Sequence, residues 1–142
     1  MEAGSGDDQI FGGDGNDALN GGSGNDKLFG EGDNDTLGGG SGNDLQVGGD
    51  GNDKLAAGSG ASVLIGGEGR DTLIGGSSDD LMISGHTNFD DANVNENFMA
   101  LMGILAEWSR SGSNTYESRL DHLRNGGGLN GSAKLKAGFQ PA

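Results

Sequence analysis

A nine-residue phrase recurs nine times, with no break in register, from Ala3 to Ile83. A clean copy is Gly21-Gly22-Ser23-Gly24-Asn25-Asp26-Lys27-Leu28-Phe29, and another is Gly66-Gly67-Glu68-Gly69-Arg70-Asp71-Thr72-Leu73-Ile74. The consensus is G-G-x-G-[ND]-D-x-U-x, where U is a large apolar residue. The eighth position reads Ile10, Leu19, Leu28, Leu37, Gln46, Leu55, Leu64, Leu73 and Met82. The sixth reads Asp8, Asp17, Asp26, Asp35, Asp44, Asp53, Ser62, Asp71 and Asp80. Two unlike residues locked two apart over nine copies mark a stacked architecture, not a low-complexity tract.

Each unit divides in two. The last three positions alternate about one inward apolar residue, which predicts a very short strand. The first six are glycine with Asn and Asp, which is turn chemistry. A strand and a turn every nine residues predict an all-β fold: a parallel β-roll, a two-sheet solenoid with 18 residues per coil. With parallel strands about 4.8 Å apart, four and a half coils make a slab about 22 Å tall. Turns nine residues apart fall on opposite edges, so vertical neighbours are 18 apart. One column then holds Asp8, Asp26, Asp44, Ser62 and Asp80, and the other Asp17, Asp35, Asp53 and Asp71.

The repeat G-G-x-G-x-D-x-U-x resembles that of the RTX (hemolysin-type) calcium-binding proteins, a known signature. The resemblance covers Ala3 to Ile83. It implies a parallel β-roll with Ca²⁺ between stacked turns. It implies as ligands the sixth-position carboxylates Asp8, Asp17, Asp26, Asp35, Asp44, Asp53, Asp71 and Asp80, together with carbonyls of the glycine turns.

Electrostatics point the same way. Carboxylates about 5 Å apart repel by roughly 1 kcal/mol in water and about 3 kcal/mol at an effective dielectric of 20. A column of them does not stack unaided, and a hard dication reverses the sign. Calcium accepts six to eight oxygens in flexible geometry, whereas magnesium demands a tight octahedron. With no Cys and two His, softer metals have few ligands. Adjacent Asp pairs 8/26, 26/44, 17/35, 35/53 and 53/71 give about five intact sites. Ser62 should empty or weaken the two that would involve it.

Composition fits an acidic repeat beside a different tail. Residues 1–84 carry 16 acidic and 3 basic side chains, a net of −13, while residues 85–142 carry 6 and 5. Five calcium ions nearly balance the first figure, so folding should be coupled to binding. Such a surface repels phosphate and anionic lipid, which excludes nucleic acid as a partner and makes small cations the natural one. No apolar run approaches a membrane span, and the first residues lack the basic and apolar parts of a cleavable signal peptide. The chain opens directly on a repeat, which points to a piece of a longer protein.

Four departures mark weak points. Glu31 and Asp33 replace the second and fourth glycines of one turn, predicting distortion there. Ser78 replaces the fourth glycine of the last unit. Gln46 stands where Leu is wanted, and should either find backbone partners or turn outward. The late strands Val63-Leu64-Ile65 and Leu81-Met82-Ile83 are apolar throughout and call for a covering element.

Residues 85–142 supply candidates. Asp90 or Asp91 can cap a helix to about Ser109, with Val94, Phe98, Leu101, Leu105 and Trp108 on one stripe. A second helix is predicted after Ser113 or Asn114, bearing Tyr116, Leu120 and Leu123, and stopping at Gly126-Gly127-Gly128. A small C-terminal helical cap over 85–142, frayed after about 126, is the expectation. An uncleaved export signal or a partner-binding helix is the alternative. Ala106-Glu107-Trp108-Ser109-Arg110 and Gly127-Gly128-Leu129-Asn130-Gly131 resemble tails of large repeat-bearing bacterial surface proteins.

No catalytic site is predicted. His86 and His122 are lone, and no nucleophile elbow or zinc motif occurs. Asp14-Gly15-Asn16-Asp17 lacks the twelve-residue spacing and terminal Glu of an EF-hand. The expected function is a calcium-dependent folding module of a secreted or cell-surface bacterial protein. The resemblance implies export by a type I secretion apparatus. Two alternatives stand beside it: an adhesive spacer with a protein or glycan partner, and the secretion module of an enzyme lying upstream.

Overall fold

The computed structural model describes residues 1–85. Ten parallel strands form two five-stranded sheets. The odd sheet runs β1 (Glu2–Ser5), β3 (Ala18–Ser23), β5 (Thr36–Ser41), β7 (Lys54–Ser59), β9 (Thr72–Ile74). The even sheet runs β2 (Gln9–Gly13), β4 (Lys27–Gly32), β6 (Leu45–Asp50), β8 (Val63–Glu68), β10 (Leu81–Ile83). Every pairing is offset by 18 residues: Leu19 faces Leu37, which faces Leu55, which faces Leu73. Residues 1–85 are therefore an all-β parallel solenoid of about five coils. The helical segments expected within 85–142 lie outside the described residues.

The strands are longer than the sequence pattern predicts. Most have six residues, continuing through the Gly-Gly-x that opens the next unit. Pairing persists there, as in Gly22 with Gly40 and Ser23 with Ser41. Between these six-residue strands only three residues remain for each turn. Glycine was assigned to turns because it tolerates positive φ; here it bends the strand without ending the ladder. The backbone ladder continues around the turn as well, with Gly24 N–H donating to the Ser41 carbonyl and Lys27 N–H to that of Asp8.

Between the sheets, Ile10, Leu19, Leu28, Leu37, Leu55 and Leu64 form one thin apolar column with Ala57. Burying each large side chain contributes about 1.5–3 kcal/mol. Gln46 stays in that column, fully buried, and its Nε2 donates to the Ala56 carbonyl at 2.8 Å. Its Oε1 has no partner.

The outer faces differ by sheet, not by position along the chain. On the even sheet the outward seventh and ninth positions include Phe11, Phe29, Leu45, Val47, Val63 and Ile65, and all but Phe11 are buried. Phe11 and Phe29 stack with ring centroids 5.1 Å apart. On the odd sheet the same positions include Ala18, Asn20, Thr36, Lys54, Thr72 and Ile74, all exposed, with Gly38 and Ala56 half-buried. The apolar strands that the sequence shows late in the chain are the continuation of a face that begins at Phe11.

Candidate metal centres

The turns carry two hydrogen-bond ladders that run in opposite directions. At the sixth position, each carboxylate Oδ1 accepts from the backbone N–H of its counterpart one coil earlier. Asp26 serves Asp8, Asp44 serves Asp26, Asp35 serves Asp17, Asp53 serves Asp35, and Asp71 serves Asp53, at 2.7–3.0 Å. At the fifth position, each side-chain Oδ1 accepts from the N–H one coil later. Asp7 serves Asn25, Asn16 serves Asn34, Asn25 serves Asn43, Asn34 serves Asn52, Asn43 serves Ala61, and Asn52 serves Arg70, at 2.7–3.0 Å. Both positions need a short side chain with an oxygen on its γ carbon, which is why Asn and Asp fill them. The fifth-position ladder is absent from the sequence reading, although Asn or Asp at seven of nine fifth positions was its signal.

The structure places all eight sixth-position aspartates in two columns. Asp8, Asp26, Asp44 and Asp80 line one edge with Ser62 between the last two, and Asp17, Asp35, Asp53 and Asp71 line the other. In Asp26, Asp35, Asp44, Asp53, Asp71 and Asp80, Oδ1 is spoken for by the ladder. Oδ2 is buried and has no hydrogen-bond partner in Asp8, Asp26, Asp35, Asp44, Asp53 and Asp71. Asp80 differs, since its Oδ2 accepts from the Gly76 N–H of its own turn at 2.6 Å. A buried carboxylate oxygen left without a donor carries a desolvation cost that a native fold meets with a partner.

In Asp26, Asp35, Asp44, Asp53 and Asp71, Oδ2 lies over the glycine that opens the same turn. A Cβ placed on Gly21 would collide with Asp26 Oδ2 and lie 2.7 Å from the Gly39 carbonyl oxygen. Gly30 and Gly48 are closed off in the same way, by Asp35 and Asp53 Oδ2 and by the carbonyls of Gly48 and Gly66. The first glycine is thus required for space, and a carboxylate oxygen and a carbonyl oxygen from adjacent coils converge there. Among the described residues no three His, Cys, Asp or Glu side chains gather around one point. Any ion held here must take much of its shell from backbone carbonyls. An all-oxygen donor set with few carboxylates suits calcium.

Burial sets the charge state of the interior acids. Desolvation pushes the Asp44 carboxyl up to about 6, opposed by the bond from Asp26 N–H and reinforced by the Asp26 charge. Asp35 and Asp53 are raised for the same first reason, with Asp17 and Asp33 adding repulsion at Asp35, and Asp35, Asp71 and Asp50 at Asp53. Without a cation, these columns are electrostatically unfavourable.

The turn Gly30–Asp35 keeps its shape despite two substitutions. Glu31 and Asp33 adopt φ of 79° and 70°, the left-handed region the glycines occupy elsewhere. The register is undisturbed, with Glu31 paired to both Gly13 and Gly49. Left-handed backbone costs roughly 1–2 kcal/mol for a residue with a Cβ. Asp33 offsets part of it by accepting from Gly15 N–H at 3.2 Å.

With this geometry established, comparison with known families is decisive. The family profile described as RTX calcium-binding nonapeptide repeat (4 copies) matches residues 1–28, 11–45 and 47–82. The chain belongs to that family, whose repeats bind calcium. No curated protein and no solved structure matches the chain.

Proposed function

We propose that this chain is a calcium-folded module of a secreted bacterial protein. Residues 1–84 are the calcium-responsive unit. Asp8, Asp17, Asp26, Asp35, Asp44, Asp53, Asp71 and Asp80 hold about five ions between coils, completed by carbonyls of the glycine turns. Bound calcium supplies the positive charge that both Asp columns lack. The observation that carries this reading is the row of six buried, partnerless Oδ2 atoms.

Function follows from the charge balance. With a net of −13 over residues 1–84, most of the ion-free chain is extended and threads easily through an export channel such as a type I apparatus. Calcium, abundant outside the cell, then closes the coils. Far-UV circular dichroism and calorimetry on the full chain test this. Titration with calcium should convert a disordered spectrum to a β spectrum, with heat release, and magnesium should fail to replace it. Unchanged spectra up to about 10 mM calcium, above the range of extracellular calcium modules, would end the reading.

A further inference from the structure

One turn departs from the repeat at three positions at once. Ala57 stands at its first position, Ala61 at its fifth and Ser62 at its sixth, and Gln46 stands at the eighth position two units, or one coil, earlier. We propose that the turn Ala57–Ser62, together with Gln46, is an ion-independent stitch. It closes by neutral hydrogen bonds and hydrocarbon packing, takes up no calcium, and holds its coil when the other turns have lost their ions. The contrast with those other turns rests on the calcium reading above.

Ser62 takes over the acceptor role of the missing carboxylate in the ladder. Its Oγ accepts from Asp44 N–H at 3.1 Å, and its own N–H donates to Asp80 Oδ1 at 3.0 Å. The ladder therefore passes through this turn unbroken. Unlike the six aspartates with orphaned oxygens, Ser62 is fully buried and leaves no oxygen without a partner. Within Ala57–Ser62 no side-chain oxygen calls for a cation; the one unpartnered oxygen of the set is the neutral amide Oε1 of Gln46.

The methyl group of Ala57 belongs to the apolar core. In the interior turns that carry Asp, the corresponding space is taken by Oδ2. At the outer turns the fit relaxes, with Asp17 Oδ2 3.1 Å from a Cβ built on Gly12, and Asp80 Oδ2 3.1 Å from one on Gly75. Ala3 and Asp8 share the first turn, where Ala3 is exposed. Inside the stack, alanine at the first position and aspartate at the sixth exclude each other. Ala57 and Ser62 are thus one coupled substitution.

Gln46 completes the set. Its Nε2 lies 2.7 Å from the Cβ site of Gly39, a site also crowded by Asp44 Oδ2 and by the Ala57 carbonyl oxygen at 2.6 Å. An amide N–H side faces that carboxylate from the core, where other coils present Leu or Ile. The strand that follows the turn, Val63-Leu64-Ile65, is wholly buried on both faces. In a stacked repeat, a coil with intrinsic stability is where order starts and spreads to its neighbours.

The test counts ions on the full chain by native mass spectrometry in calcium, with circular dichroism as a check of folding. S62D alone should gain no ion, because the Ala57 methyl fills the space its carboxylate needs, and it should lower Tm. The pair A57G/S62D should gain one or two ions over wild type. An ion gained by S62D alone, or a folded A57G/S62D with the wild-type count, overturns the proposal. Should A57G/S62D fail to fold, hydrogen exchange on the wild type in calcium-free buffer decides. Amides of residues 54–65 should then exchange at least about tenfold more slowly than those of residues 9–23, the contrast expected between a locally stable unit and an open one. Equal rates refute the stitch. A wild type that binds no calcium refutes the function proposed above, while the exchange contrast still judges the stitch by itself.

Discussion

The two edges of the roll share one hydrogen-bond plan and differ in charge. The edge that carries Asp17, Asp35, Asp53 and Asp71 also carries Asp14, Glu31, Asp33, Asp50 and Glu68, against a single Arg70. The opposite edge has serine at the third position of every turn, Ser5, Ser23, Ser41, Ser59 and Ser77, and its fourth turn, Ala57–Ser62, has no acid at all. The lesson is that backbone and ladder geometry do not set the ion demand. Side-chain charge does, and it is concentrated on one side of a nearly uniform scaffold.

The largest effect that probes this contrast is loss of an interior carboxylate on the acidic edge. Asp35→Ala removes an acid with Asp17 and Asp53 above and below it, and strips Asp17 N–H of its acceptor. It should raise the calcium midpoint of folding by at least about tenfold, or about 1.4 kcal/mol. Asp80→Ala on the other edge, whose neighbour is Ser62, should shift the midpoint severalfold less. Equal shifts in circular dichroism titrations would erase the difference between the edges.

Acid should act next. The Asp35, Asp44 and Asp53 carboxyls are raised in the fold by burial, Asp44 to about 6. A raised carboxyl means the folded chain binds protons more tightly than the unfolded one. Its destabilising effect is absent below the ordinary carboxyl value near 3.8 and grows as pH rises to about 6. Calcium-stripped protein should therefore hold more β structure at pH 4.5 than at pH 7.5, and added calcium should remove the dependence near neutrality. A calcium-free chain whose β content rises from pH 4.5 to 7.5 would contradict the burial of these groups. Since Asp35 and Asp53 belong to one edge, their amides should show the pH effect together.

The smallest effect should be the same on both edges. Asn34→Ala and Asn43→Ala each remove a fifth-position acceptor, for Asn52 and Ala61 N–H respectively. Each should cost about 1 kcal/mol in saturating calcium, read as a drop in Tm. Unequal losses would show that the ladders themselves differ between edges.

Much of this fold is written in the sequence because its period is short and its columns are pure. An 18-residue coil follows directly from the alternation of Leu with Gly-x-Gly-Asn-Asp, and so do the two Asp columns. Three things were not legible, each for a physical reason. Strand length was hidden because glycine marks a bend and a turn alike. The distinct role of the fifth position was hidden because Asn suits any turn, and only the coordinates show its Oδ1 reaching the next coil. The dependence between Ala57 and Ser62 was hidden because they lie five residues apart and meet only through the space between a methyl and a carboxylate. Gln46, at odds with its column in sequence, is explained by one bond to Ala56.

The opposed ladders give every coil a head and a tail. Toward its successor a coil offers a side-chain oxygen at the fifth position and an N–H at the sixth; toward its predecessor it offers an N–H at the fifth and an oxygen at the sixth. Head-to-tail contact along the coil axis continues both ladders, oxygen to N–H at the fifth position and N–H to oxygen at the sixth, so the turn columns extend in one direction.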